Sequence, residues 1–167
     1  MDNRHWCALY TRSRHEKSIA AELQKKSVEA FLPLQAIRRK WSDRTVTVEE
    51  PLFKSYLFVK TDFLGSREVL KTKGAVTFVN ASGYPVPIQE SVIGSLKAAV
   101  QSGVPLEPFP YIREGDRVYV RAGIFRGMEG FVIRKNDRKC RVVISIDALR
   151  ASASLEVDAA LVENLTN

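Results

Sequence analysis

Alternating and periodic apolar positions divide the chain into a helix-containing first part and a strand-rich second part. The aromatic-rich segment 5–11 has the length and composition of a strand. Apolar side chains recur at helical spacing over residues 17–28 and 89–101, and each segment is predicted to be a helix. The most apolar stretch, residues 51–59, predicts a central strand. From residue 116 onwards, short alternating strands are separated by glycines, a pattern typical of a small barrel.

A hairpin is predicted between the first helix and the central strand. Residues 45–48 alternate between polar and apolar side chains, and the four residues Trp41 to Arg44 before them are typical of a turn. Trp41 could stack on a nucleic-acid base there, but we interpret it as packing within the hairpin. A short helix is predicted over residues 65–73 and a further strand over residues 74–79.

A proline-rich segment separates the two parts of the chain. Pro105, Pro108 and Pro110 lie within six residues, and proline fixes φ and removes a backbone donor, so a stiff extended linker is predicted over residues 104–113. The first domain would then span residues 1–103, and the second residues 114–167. The predicted fold class is α+β: an antiparallel sheet flanked by helices, followed by a small β-barrel.

The net positive charge is concentrated in the first domain. The 167 residues carry 26 Lys and Arg against 19 Asp and Glu, which gives a formal net charge of +7. Residues 1–103 hold 16 of those bases and 10 of the acids, whereas the rest of the chain is nearly neutral. A basic balance confined to one region favours a polyanionic partner over general solubility.

Two basic runs are candidates for phosphate contact. Ser13 and Glu16 have the spacing of a capping box, so the first helix is predicted to begin there with Arg12, Arg14 and Lys17 at its positive end. Cations beside free amides at a helix start attract an anion, although these side chains can also simply point into water. The run Arg38–Arg39–Lys40 is a second candidate for phosphate contact in the same domain.

No motif in the sequence indicates an enzyme. His5 and His15 are the only histidines, no Cys/His cluster has the spacing of a metal site, and no glycine-rich phosphate loop is present. Cys7 and Cys140 are too few for a disulfide framework and are expected to be buried thiols. Neither a membrane span nor a signal core is evident, so the expectation is a cytoplasmic protein without cofactor or metal.

Four aromatic residues leave the choice between core and interface open. Tyr56 and Phe58 lie two apart on one predicted strand, and Trp6 and Tyr10 lie four apart on another, so each pair shares a face. Leu57 supplies an apolar side chain on the opposite face. An aromatic face left uncovered by helices would mark a partner site, but the pattern alone does not decide between the two.

Several segments together resemble the NusG/RfaH family of transcription elongation factors. Residues 6–10 and 50–59 resemble its N-terminal domain, of the NGN type, whereas residues 114–120 and 123–132 resemble a KOW motif in an SH3-like barrel. The block Trp41–Ser42–Asp43–Arg44 is similar to specialised paralogues of the UpxY and LoaP types. The resemblance covers nearly the whole chain.

The resemblance implies a monomeric antitermination or elongation factor that is not an enzyme. Its first domain would dock an apolar concavity on the clamp helices of the largest RNA polymerase subunit and bridge the DNA cleft, which suppresses pausing. Its KOW domain would recruit a termination factor or a small-subunit ribosomal protein.

Carried onto this chain, the polymerase surface comprises Tyr10, Tyr56, Phe58 and Phe78, with Ser66 and Arg67 facing the opposite cleft wall. The non-template DNA strand would approach Arg12, Arg14, His15 and Lys17. The KOW partner would contact Ile124 and Phe125.

One departure from the family concerns the turn before the central strand. Lys54–Ser55 stands where the family usually has Pro-Gly or Pro-Asn, and we expect this to remove a rigid turn and add a charge. The alternative function is an RNA-binding or ribosome-associated KOW protein, since KOW barrels also occur there. That alternative predicts a basic second domain, yet the domain is nearly neutral.

Overall fold

The computed structural model describes residues 3–111, 115–135 and 138–165, which form an α+β unit and a barrel. The elements of the α+β unit are β1 (His5–Thr11), α1 (Glu16–Lys25), β2 (Ala30–Phe31), β3 (Leu34–Lys40), β4 (Thr45–Pro51), β5 (Tyr56–Thr61), α2 (Phe63–Val69), β6 (Ala75–Phe78), β7 (Asn80–Ala81), β8 (Tyr84–Pro85), β9 (Pro87–Ile88) and α3 (Glu90–Gln101). The strands of the barrel are β10 (Glu107–Pro110), β11 (Asp116–Val120), β12 (Glu129–Lys135), β13 (Lys139–Ile146), β14 (Ala151–Asp158) and β15 (Val162–Asn164). The predicted fold class is confirmed.

The central sheet of the α+β unit is antiparallel and buries both of its faces. Its strand order is β2-β5-β1-β6, and β9 also pairs with β1. Because side chains alternate along a strand, Leu9 and Leu57 lie on one face, where they pack with Ile19 of α1. Ala8 and Phe58 lie on the other face, beneath α3. The sheet is therefore the middle layer between α1 and α2 on one side and α3 on the other.

Helix α3 lies between this sheet and the barrel. The Trp6 indole donates a hydrogen bond to Glu90 at the start of the helix (3.1 Å), and the Lys97 ammonium lies 4.5 Å from the centroid of the Trp6 ring. On the other side, the backbone N–H of Glu129 in the barrel donates to Ser95 Oγ (3.0 Å). Since Ser95 is buried, the two parts of the protein share one continuous core through α3.

The barrel includes part of the segment predicted to be a linker. Its six strands are hydrogen-bonded in the order β10-β14-β13-β12-β11-β15. Strand β10, with Pro108 and Pro110, pairs with β14 at the edge of this sheet, and Leu106 just before it is buried. Proline is tolerated on an edge strand because one side of that strand needs no donors. The chain between α3 and the barrel is therefore much shorter than the predicted linker 104–113, of which residues 112 and 113 lie outside the described residues.

The helix predictions hold except for the first cap. Helix α3 falls within its predicted segment, and α1 begins one residue before its own. Helix α2 begins two residues earlier and ends four residues earlier than predicted. The capping box at Ser13 is wrong, because His15 occupies the N-cap position and no side chain caps it. The Glu16 carboxylate is buried and instead accepts a hydrogen bond from the backbone N–H of Ser55 (2.8 Å).

The turn before β5 is present although the sequence lacks the usual Pro-Gly. Ser55 adopts a φ of 64°, in the left-handed region, and the Tyr56 N–H closes the turn on the Phe53 carbonyl (3.2 Å). The hydrogen bond that the Ser55 N–H donates to the Glu16 carboxylate of α1 also stabilises this conformation. The expectation that Lys54–Ser55 removes the turn is therefore wrong.

Replacing Ser55 by glycine is expected to stabilise the protein. A non-glycine residue in the left-handed region costs roughly 1–2 kcal/mol, which Ser55→Gly relieves in the folded state at some cost in unfolded-chain entropy. We expect a net gain of about 0.5–1 kcal/mol in the free energy of unfolding, measured by urea denaturation. The control is Ser102→Gly at a φ of −67°, which should lower stability. A loss of stability in Ser55→Gly would mean that the left-handed φ of Ser55 does not strain the folded protein.

Candidate functional site

Two tyrosines form an aromatic pair at one end of the central sheet. Tyr10 and Tyr56 are direct cross-strand neighbours on β1 and β5, and their ring centroids are 5.3 Å apart at an interplanar angle of 50°. Tyr10 is 40% exposed and Tyr56 is half-buried. Directly paired residues of antiparallel strands share a face, so both rings project on the α3 side of the sheet. This tyrosine pair is an accessible aromatic surface at the edge of the core.

Phe58 and Phe78 do not belong to that accessible surface. Phe58 is fully buried, with the rings of Phe31 and Phe53 at centroid distances of 6.2 and 6.1 Å. Phe78 is also buried, and it pairs directly with Leu9 on the opposite face of the sheet. The expectation that all four aromatics line one concavity is wrong, because strand alternation places Phe58 and Phe78 on different sides.

Of the two residues predicted to face the opposite cleft wall, only Arg67 is accessible. Ser66 is buried within α2, and its hydroxyl donates to the Phe63 carbonyl (2.7 Å). Arg67 is exposed, with its guanidinium 5.1 Å from the centroid of the Phe63 ring. A serine hydroxyl that donates to the backbone carbonyl three residues earlier in its helix has no proton left to donate to a partner. Ser66 is therefore a structural residue in this fold.

The two predicted basic runs meet in one cleft, which we call the basic cleft. The cleft has a volume of about 400 Å³ and lies between the start of α1 and the β3–β4 hairpin. It is lined by Ser13, Arg14, Glu16, Lys17, Arg39, Glu50, Pro51 and Lys54. Both carboxylates are engaged, since Glu16 accepts from Ser55 and Glu50 is ion-paired with Arg39. Four cations around two bound carboxylates leave the cleft with net positive charge, which favours an anion.

Most of the predicted nucleic-acid residues are exposed, but only Arg14, Lys17 and Arg39 line this cleft, because Arg38 and Lys40 lie on the opposite face of β3 from Arg39. The exposed members are Arg12, Arg14, Lys17, Arg38, Arg39 and Lys40. The Lys17 ammonium donates to the Glu49 carbonyl (2.8 Å) and so ties α1 to the hairpin. Lys54 was not predicted as a contact residue. The only signal for it in the sequence was its position in the turn where this chain differs from the usual Pro-Gly or Pro-Asn of the family.

His15 is the exception, because its ring is held against the backbone. Its Nδ1 lies 3.1 Å from the Ser13 carbonyl oxygen, and its ring packs on Gly74. Gly74 has a φ of 97°, and a Cβ built there would lie 2.6 Å from the His15 ring. Only glycine leaves room for the ring in this conformation. His15 therefore fixes the start of α1, and little of its ring is available to a ligand.

The β3–β4 hairpin projects from the domain with an exposed tip. Its two strands pair only with each other among the described residues, and the Trp41 N–H closes the tip on the Arg44 carbonyl (2.8 Å). Trp41 is 52% exposed, and the Arg44 guanidinium lies 5.6 Å from its ring centroid. Trp41 therefore contacts Arg44 of its own hairpin, as interpreted from the sequence, while half of its side chain faces solvent.

The two residues predicted to contact a KOW partner have opposite environments. They lie in the 3-10 turn Gly123–Phe125 of the barrel. Ile124 is 67% exposed, whereas Phe125 is only 5% exposed because the turn packs against α3. In this arrangement a partner can reach Ile124 but not Phe125.

The two cysteines lie outside the surfaces described above. Cys7 and Cys140 are both buried thiols, as predicted, and burial raises the pKa of the Cys7 thiol to about 11. Within the described ranges no group of three or more His, Cys, Asp or Glu side chains could hold a metal ion. None of the helices in the described part is both long enough and apolar enough to cross a membrane.

Comparison with known proteins gives consistent matches. A protein-family model described as "Transcription termination factor nusG" matches residues 4–97. The chain is 20% identical to the transcription termination/antitermination protein NusG of Borreliella burgdorferi, over 98% of this chain and 100% of that protein. It is 23% identical to the protein of that name in Streptococcus pyogenes, over 91% and 92% of the two chains. A solved structure described as "Domain interaction in Thermotoga maritima NusG" matches with a TM-score of 0.56 and 19% identity, over 98% of each chain.

Proposed function

Because the chain belongs to the NusG family of transcription factors, we propose that it binds the clamp of RNA polymerase through the tyrosine pair, Tyr10 and Tyr56. This pair is the observation that carries the proposal. Aromatic side chains are enriched at the centres of protein interfaces, where they bury large rigid surfaces at low cost in entropy. The buried Phe58 lies on the same face, two residues along β5, and supports the pair as part of the core.

The proposed mechanism is stabilisation of one polymerase conformation. A factor that binds the closed clamp more tightly than the open clamp shifts the population towards the closed state, which disfavours pausing. A second contact across the DNA cleft would add to this difference. Arg67, exposed over the Phe63 ring on α2, is the proposed residue for that contact.

The proposed nucleic-acid surface is the basic cleft and the hairpin beside it. The non-template DNA strand carries phosphates that the cations of the cleft would neutralise, and released counterions would contribute to the affinity. The main contacts in this proposal are Arg14, Lys17, Arg39 and Lys54, with Arg12, Arg38 and Lys40 on the flanks. A predominantly electrostatic contact of this kind follows the phosphate backbone without reading the bases.

The barrel is proposed to recruit a second protein, a termination factor or a small-subunit ribosomal protein. Ile124 is exposed and available to it, but Phe125 is buried against α3. A partner that uses Phe125 must first separate the barrel from α3. Partner binding and the α3 contact would then exclude each other, because both need the surface around Phe125.

The alternative, RNA binding by the barrel, is not favoured by the charges of its described residues. Arg117, Arg121, Lys139 and Arg141 all form ion pairs with carboxylates of the barrel or its edge strand. Paired cations contribute little to a positive field. In the basic cleft of the α+β unit only Arg39 is in a described ion pair, with Glu50, whereas Arg14, Lys17 and Lys54 are not.

The proposed mechanism is tested by transcription in vitro with purified RNA polymerase on a template that contains a pause site. Addition of the protein should shorten the pause half-life several-fold, and the Tyr10→Ala/Tyr56→Ala variant should lose this effect. Ile133→Ala is the control, because Ile133 is an exposed apolar side chain on β12 of the barrel, outside the proposed polymerase surface. Equal shortening by wild type and the double tyrosine variant would contradict the proposed surface.

A further inference from the structure

The tip of the β3–β4 hairpin exposes an aromatic ring that the fold does not need. Burying a large aromatic contributes several kcal/mol to a core, yet Trp41 keeps 52% of its surface in solvent. The lower part of the hairpin is where packing occurs: Ile37, Val46 and Val48 are half-buried there, and the Leu52 N–H donates to the Pro33 carbonyl. The tip is therefore held by its anchored base and not by packing of the tryptophan.

The surroundings of Trp41 are strongly cationic. The Arg44 guanidinium lies 5.6 Å from the ring centroid, and Arg38 and Lys40 are exposed on the adjoining strand. Asp43 is the only carboxylate in the segment 38–44. Arg39, between Arg38 and Lys40 in sequence, points to the other face of the hairpin and lines the basic cleft. An aromatic ring bordered by cations suits a ligand that carries both a π-face and negative charge.

We propose that the hairpin tip is a stacking platform for an unpaired nucleobase of a single-stranded nucleic acid, with Trp41 as the stacking side chain and Arg44 as its cationic neighbour. This inference rests on the proposed nucleic-acid surface and adds the side chain that contacts a base. A duplex keeps its bases stacked and offers the tip only phosphates, whereas a single strand offers base faces. Stacking on an aromatic side chain tolerates any base, so the platform selects strandedness and not sequence.

The Trp41–Arg44 contact supports this role by its geometry. The tip turn is closed between the backbones of these same two residues, so the ring and the guanidinium are held together before a ligand arrives. A preorganised pair loses less side-chain entropy on binding than a flexible one. Arg38 and Lys40 would then take phosphates on either side of the stacked base.

The experiment measures binding of fluorescein-labelled short oligothymidine, oligouridine and a DNA duplex to the full chain by anisotropy. We expect single strands to bind more tightly than the duplex, and Trp41→Ala to weaken single-strand binding about tenfold or more, the effect of losing one base–aromatic stack. Trp41→Phe should retain most of the affinity. Tyr84→Ala, which removes an exposed aromatic outside the basic region, should change nothing. The DNA and RNA arms distinguish which strand the platform prefers.

Intrinsic fluorescence gives an independent readout of stacking. The chain has two tryptophans, and Trp6 is buried beneath α3, so quenching by an added unlabelled strand reports on Trp41. Stacking predicts quenching in wild type that disappears in Trp41→Phe. Bound strands without quenching would overturn the platform.

Charge variants separate failure of the platform from failure of the proposed surface. If Arg38→Gln/Lys40→Gln weakens binding but Trp41→Ala does not, the nucleic-acid surface stands and the stacking platform is overturned. If no variant changes binding, both are overturned. If Trp41→Ala leaves nucleic-acid binding intact but lowers affinity for RNA polymerase, the tip is a protein contact and the inference is also overturned.

Discussion

Phe58→Ala is expected to lower the free energy of unfolding by about 3–5 kcal/mol, the range for removal of a buried phenylalanine side chain. Phe58 is fully buried between the Phe31 and Phe53 rings and beneath α3. Its removal leaves a cavity where the sheet, the helix and the turn before β5 meet. Since small domains are stable by only about 5–15 kcal/mol, this variant would lose a large share of its stability.

Urea denaturation followed by circular dichroism measures this effect. Tyr10→Ala, which truncates a partly exposed ring on the same face, should cost no more than about 1.5 kcal/mol. Phe58→Leu should fall between the two, because it removes less volume. Equal and small losses in Phe58→Ala and Tyr10→Ala would mean that Phe58 is not part of the core. The large expected loss also means that a Phe58 variant cannot report on a docking surface.

Ser95→Arg is expected to separate the barrel from α3. Ser95 is buried at this contact and accepts a hydrogen bond from the Glu129 N–H, so there is no room for an arginine side chain in this packing. Burying an unpaired charge costs more than a contact between two domains of one chain can offset. The barrel should therefore move away, which exposes Phe125 and the barrel-facing side of α3.

Small-angle X-ray scattering tests this separation as an increase in the radius of gyration of the full chain. The matched control is Gly94→Arg, which adds the same charge to the same helix at an exposed position where a Cβ meets nothing within 4 Å. The control should remain as compact as wild type. A compact Ser95→Arg variant would show that the buried contact tolerates the charge and would contradict the described packing.

The periodic part of the pattern predicts most elements of the fold. Helices α1 and α3 and strand β1 follow directly from the spacing of apolar residues, because a helix or strand with one buried face repeats at a characteristic interval. Alternation along β5 also correctly places Tyr56 and Phe58 on one face. It does not show where α3 crosses that face, so the burial of Phe58 became evident only from tertiary packing.

The candidate site is less predictable because it depends on contacts between distant segments. Arg14 and Arg39 are 25 positions apart, and the sequence does not show that they line one cleft. The prolines at 108 and 110 correctly predict an extended chain. They do not distinguish a linker from an edge strand, because an edge strand is also extended and also tolerates proline. The exposed half of Trp41 was not foreseen for a similar reason, since a turn pattern does not indicate which of its side chains remain exposed.

The most direct test of the account is the affinity of the full chain for core RNA polymerase, measured by biolayer interferometry with and without the tyrosine pair. The account predicts that Tyr10→Ala/Tyr56→Ala weakens binding at least tenfold, because centrally placed interface aromatics typically contribute about 2 kcal/mol or more each. Ile133→Ala, which truncates an exposed apolar side chain of the barrel, should bind like wild type. The double tyrosine variant and its parent are also measured with Ser95→Arg added, which shows whether the barrel limits access to the tyrosine pair. Unchanged binding by the folded double tyrosine variant, or no binding by either wild type or Ser95→Arg, would contradict the proposed polymerase surface.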